Sequence, residues 1–195
     1  MTITTQAPAT RQHEGAQIPL PGTYTIDATH STIGFVAKHL VVAKVRGHFK
    51  EFEGSITFAE NPLDSTATLD IKAASISTND DNRDAHLRTG DFLLVEEHPT
   101  LTFRTTGVRA KGKGRYVLTG DLTVRGVTKA VDLDVDVEGV MRDPWGGERV
   151  AFTASTEIDR DEFGVSFNAA LETGGVMIGK TVKLELEIEA VRQDA

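Results

Sequence analysis

The strongest constraint on the fold is the run Thr181 to Ala190, in which Val182, Leu184, Leu186 and Ile188 alternate with Lys183, Glu185, Glu187 and Glu189. A helix would scatter these apolar side chains around its axis. A pleated strand puts all of them on one face and every charge on the other. The run Thr128 to Glu138 repeats the pattern, with Val131, Leu133, Val135 and Val137 set against Asp132, Asp134, Asp136 and Glu138. A third run opens at Arg149 and alternates Val150, Phe152, Ala154, Thr156 and Ile158 with more polar neighbours.

Softer alternation marks Thr32–Lys38, Val45–Phe58, Ala67–Ile76, Leu101–Val108 and Arg115–Val124, the last with Tyr116, Leu118, Leu122 and Val124 in phase. Turn signals at Asn61-Pro62, Gly112–Gly114, Arg125-Gly126 and Trp145–Gly147 divide the runs into about eight strands. One segment has helical character: Asn79 to Asn82 offers N-caps, and Arg83 to Arg88 follows between the third and fourth strands. Strands with one apolar face must close into a barrel or pair as two sheets. An eight-stranded barrel is either filled by side chains or holds one small ligand. Ala37, Ala67, Ala73, Ala154 and Gly120 among the inward positions leave volume near the axis. In the Val45–Phe58 run the apolar phase slips between Phe49 and Phe52, which predicts a bulge, with Gly47 and Gly54 tolerating the bend.

The 195 residues suit one all-β domain over residues 22–192, preceded by a Thr/Gln/Ala/Pro-rich tail over residues 1–21 that reads as mobile. A net charge of −8, with no cluster of Lys and Arg, argues against a nucleic-acid partner and against docking on anionic lipid surfaces. The absence of cysteine excludes disulfides, thiolate metal sites and Cys nucleophiles. No leader-like or membrane-spanning apolar stretch occurs, so the expected location is cytoplasmic.

Several motifs in order resemble the YceI-like polyisoprenoid-binding family. They are Tyr24-Thr25-Ile26-Asp27 through Phe35 with Lys38-His39-Leu40; Val45-Arg46-Gly47-His48-Phe49 with Phe52-Glu53-Gly54; Arg83-Asp84-Ala85-His86-Leu87-Arg88 with Asp91-Phe92; His98-Pro99 to Phe103; Gly120 to Lys129; and Asp159-Arg160 with Phe163-Gly164. The resemblance runs from about Gly22 to Val191. It implies an all-β, eight-stranded antiparallel lipocalin-like barrel with a short connecting helix, holding an isoprenoid or similar long lipid in its lumen. It is compatible with a homodimer.

The residue chemistry points the same way. None of the six histidines shows metal-ligand spacing, and the acidic Asn79–Asp84 stretch lacks the calcium-loop pattern, so no metal or cofactor is expected. Ser31 beside His30 lacks a nucleophile elbow, and neighbouring strand residues face opposite ways, so no catalytic residues are assigned. The nine phenylalanines, Phe35, Phe49, Phe52, Phe58, Phe92, Phe103, Phe152, Phe163 and Phe167, together with Leu122, are the candidate lining of an apolar tube. Burying a chain of about 20 carbons is worth on the order of 16 kcal/mol gross, less an association cost of roughly 4–15. Arg83, His86 and Arg88 on the helix, with Lys38 and His39, are candidates to meet a polar head group. The expected function is sequestration or carriage of a long polyisoprenoid, quinone-like or acyl lipid. The alternatives are a lipid-modifying or hydrolytic enzyme on the same barrel and a ligand-free structural or stress-response barrel with a filled core.

Overall fold

A computed structural model describes residues 8–40, 43–144, 146–169 and 177–193. The predicted turn residue Trp145 and the first seven residues of the expected tail lie outside them. A small hairpin of β1 (Thr10–His13) and β2 (Ala16–Pro19) comes first. An antiparallel meander follows. Its first strand is made of β3 (Gly22–Ile26) and β4 (Thr32–His39), its second of β5 (Ala43–Phe49) and β6 (Phe52–Phe58), and its third of β7 (Thr66–Lys72) and the short β8 (Ile76–Ser77). The other five are β9 (Thr100–Gly112), β10 (Arg115–Val124), β11 (Val127–Arg142), β12 (Glu148–Asp159) and β13 (Ile178–Arg192).

β13 closes the ring. One edge pairs with β12 from Arg149↔Val191 to Asp159↔Thr181, while the other takes β4 at Leu184↔Phe35 and β3 at Val191↔Thr25. The result is an eight-stranded antiparallel closed barrel, the one of the two arrangements open to alternating strands that the family resemblance implies. The turn Arg125-Gly126, with both residues at positive φ, makes the tight β10–β11 connection whose twist suits a hairpin. The one helix, α1 (Asp81–Arg88), begins where the Asp80 carboxylate accepts from the Arg83 amide at 3.0 Å.

The predicted slip after Phe49 is a full break of the strand. Residues 50 and 51 leave the ladder, and their amides are satisfied by the Ser75 carbonyl and hydroxyl, both at 3.1 Å. The third strand breaks at the same level, through a single 3-10 turn at Ala73–Ser75. Gly47 is needed for space and not for bending: a Cβ there would lie 2.3 Å from the Phe35 ring and 2.9 Å from the Ser77 carbonyl.

The expected tail up to Pro21 is also revised. Residues 10–19 form the hairpin, and Ile18, only 3 % exposed, is inserted into the end of the barrel. Arg11 holds it there by donating to the Pro19, Ala59 and Glu60 carbonyls, and His13 is hydrogen-bonded to the Tyr116 hydroxyl at 2.9 Å. Polar composition hid one apolar residue whose burial offsets the cost of ordering the segment.

Candidate binding cavity

The interior is not uniformly packed. Along the inward face of β13, Val182, Leu184 and Leu186 are only half-buried, whereas Ile188 and Ala190 are buried outright. The difference marks a cavity of about 420 Å³ in the half of the barrel nearest α1. Its wall is made chiefly of inward aliphatic side chains: Ile33 of β4, Leu69 and Ile71 of β7, Leu122 and Val124 of β10, Val131 and Leu133 of β11, and Leu184 and Leu186 of β13. A second void of about 90 Å³ sits at the other end, beneath Ile18 and Pro19 of the hairpin.

The candidate lining residues divide accordingly. Phe35, Phe49, Phe92, Phe103, Phe167 and Leu122 border the large cavity. Phe58 and Phe152 border the small one. Phe52 packs against the core cluster, and Phe163, 2 % exposed, is locked inside the 3-10 turn Arg160–Phe163, so neither borders either void. The expected tube of nine phenylalanines is therefore a mainly aliphatic cavity with five of them at its wall. Of the small residues, Ala37 borders the large void and Ala67 the small one, but Ala73 and Ala154 are in close-packed core.

At the α1 end the cavity reaches solvent, since exposed Lys38, Arg83 and His86 border it together with His39. The Lys38 ammonium makes no hydrogen bond or ion pair among the described residues. The Arg83 guanidinium donates to the Thr78 hydroxyl at 2.7 Å and the Thr78 carbonyl at 3.0 Å, which fixes it across the rim. Behind it Asp84 accepts from the Thr78 amide at 2.7 Å and the Thr78 hydroxyl at 2.5 Å. Burial pushes the Asp84 carboxyl up, but these donors prevail and the net position is below its ordinary value. His86 is hydrogen-bonded through Nε2 to Asp91 at 2.7 Å, and its ring meets Phe92 and Phe167 edge-on at 5.0 and 5.1 Å. Arg88 does not reach the cavity. It donates to the carbonyls of Ala74 and Ile76 and ties α1 to the broken third strand.

Sequence reasoning missed Arg160. It borders the cavity, is 5 % exposed, and gives its donors to the carbonyls of Val165, Phe167, Ile178 and Gly179. A buried guanidinium compensated by carbonyls pins the loop carrying Phe167 to the start of β13. The sequence signal was a basic residue placed where β12 ends.

Asp27, His30 and Glu189 stand close enough to share a cation, a grouping that local spacing alone does not show because Glu189 comes from the far end of the chain. Arg149 takes that role: its guanidinium donates to Asp27 at 2.8 Å, to Asp143 at 3.0 Å and to Glu189 at 2.5 Å. The Ser31 hydroxyl is engaged by the Glu189 backbone, while His30 turns to Asp27. No nucleophile–base pair is formed there.

A closed β-barrel with an apolar lumen open at one end defines a class of small-ligand containers. Residues 24–190 match the YceI-like domain, and the chain belongs to that family. It is 40 % identical over 168 residues to a UPF0312 protein of Staphylococcus aureus, covering 85 % of this chain and 95 % of that one. Among solved structures it is similar to BcnA of Burkholderia cenocepacia, with a TM-score of 0.74 at 22 % identity over 84 % of this chain and 98 % of that one. It is also similar to a polyisoprenoid-binding domain of Saccharophagus degradans implicated in plant cell wall breakdown, with a TM-score of 0.68 at 18 % identity over 87 % and 98 % of the two chains.

Proposed function

We propose that this protein holds one long apolar lipid, a polyisoprenoid, quinone-like or acyl chain, as a carrier or reservoir and without chemical turnover. The observation that carries this reading is the 420 Å³ void walled by aliphatic and phenyl side chains. An apolar void of about 150 Å³ holds benzene, so this one scales to roughly 17 carbons. At about 0.8 kcal/mol per methylene such a chain gains on the order of 14 kcal/mol gross. Association costs of roughly 4–15 kcal/mol come off that, so length and dryness supply the affinity. Apolar side chains make up most of the described wall, which favours binding over hydrolysis. Lys38, Arg83 and His86 at the rim suit a polar or anionic head group.

Native mass spectrometry of gently purified protein tests the reading. The expected spectrum shows a non-covalent adduct of lipid mass, or uptake of added farnesol. Bare protein that takes up no prenol contradicts it, and conversion of the lipid on incubation replaces it with an enzyme.

A further inference from the structure

The two voids are segments of one lumen. On β7 the residues Ala67 and Leu69, and on β11 the residues Val135 and Leu133, are consecutive positions of the same inward face, yet the first of each pair borders the small void and the second the large one. A step of two residues along a strand is about 6.6 Å, so no more than one layer of side chains separates the voids. Phe103 belongs to that layer. Its ring lies on the Cα of Gly120, where a Cβ would meet the ring at 2.3 Å, and it borders the large void from that position. Rotation of the side chain toward the large void would lift the ring off Gly120. Beyond the layer, Ile18 and Pro19 close the barrel end. The family match begins at residue 24, after this hairpin.

We propose that the small void is the terminal section of the lipid site, entered by the tail end of the ligand as the Phe103 ring turns aside, and that the N-terminal hairpin is the stop that sets the longest tail held inside. This rests on the lipid-carriage reading. By the same volume scaling the small void adds roughly four carbons to the roughly 17 of the large one. The large void alone then matches farnesol, of three isoprene units, and the joined lumen matches geranylgeraniol, of four.

The test compares the affinities of the full-length protein for farnesol and geranylgeraniol with those of Ala67→Leu, whose added side-chain volume occupies the small void. Geranylgeraniol should lose about ten-fold or more while farnesol changes by less than about two-fold. Val135→Phe, which fills the same void from β11, should give the same selective loss and carries the test if Ala67→Leu fails to fold. Equal losses for both prenols, or none for either, overturn the length stop and leave carriage standing. An unaltered protein that binds neither prenol overturns carriage and the length stop together.

Discussion

Leu184 and Ile188 lie four residues, two repeats of the pleat, apart on the same face of β13, but they belong to different interiors. Leu184 is half-buried on the wall of the large cavity; Ile188 is 5 % exposed among packed neighbours. The half of the barrel near α1 leaves a space large enough for a ligand. The half near the hairpin is tied by side-chain packing and by ion pairs, with Tyr24, Val150 and Ala190 fully buried and Arg149 joining Asp27, Asp143 and Glu189. One half provides most of the volume and the other most of the ties, and a single alternating strand serves both.

The largest effect should separate these two positions directly. Ile188→Ala leaves a cavity in close packing and should cost about 3 kcal/mol, whereas Leu184→Ala enlarges an existing void and should cost about 1 kcal/mol or less, read by urea denaturation. Equal costs would erase the distinction.

Arg149→Gln should cost about 2 kcal/mol near neutral pH, because it strands partly buried carboxylates. Asp27 is held well below the ordinary carboxylate range by the Arg149 guanidinium first and His30 second, and Glu148 is held down by Arg192. A carboxyl with a depressed folded-state pKa adds stability above its unfolded pKa and loses it as pH falls. Wild-type Tm should therefore drop on acidification through the carboxylate range, and the gap to Arg149→Gln should narrow over the same interval. A gap independent of pH would exclude the network as its source.

In the hollow half, Leu184→Trp should weaken prenol binding about ten-fold while changing stability by less than about 1 kcal/mol, since the ring enters space already empty. Smallest are the rim effects. Arg83→Ala with His86→Ala should weaken an anionic-head lipid more than a neutral one, by a few-fold. Arg88→Ala should lower stability by about 1 kcal/mol with no preference between the two lipids. Equal losses of both lipids in the rim variant would remove the head-group role.

Alternation read in the sequence revealed the strands and their inward faces, because side-chain direction has period two whatever the context, while the choice of a closed barrel over two packed sheets came from the family resemblance. It could not reveal which half is hollow, since direction carries no information about the distance to the opposite wall. The same limit led to the choice of phenylalanine as lining: Ile33, Leu69, Leu133 and Leu186 were already on inward faces, and Phe163 was diverted into a 3-10 turn. Arg83 and Arg88 share one short helix and one side-chain chemistry, and only the broken third strand, which Arg88 ties down, sets them apart. Ile18 escaped notice because so few apolar residues in a polar segment are too short a run to show a period.

The central claim is that the lumen admits a guest. Methyl NMR of Ile/Leu/Val-labelled protein titrated with farnesol tests it most directly. Saturable shifts should concentrate on Ile33, Leu69, Leu133, Leu184 and Leu186 and leave Val150 unmoved. Shifts confined to outward-facing methyls, or none at saturating farnesol, would contradict it.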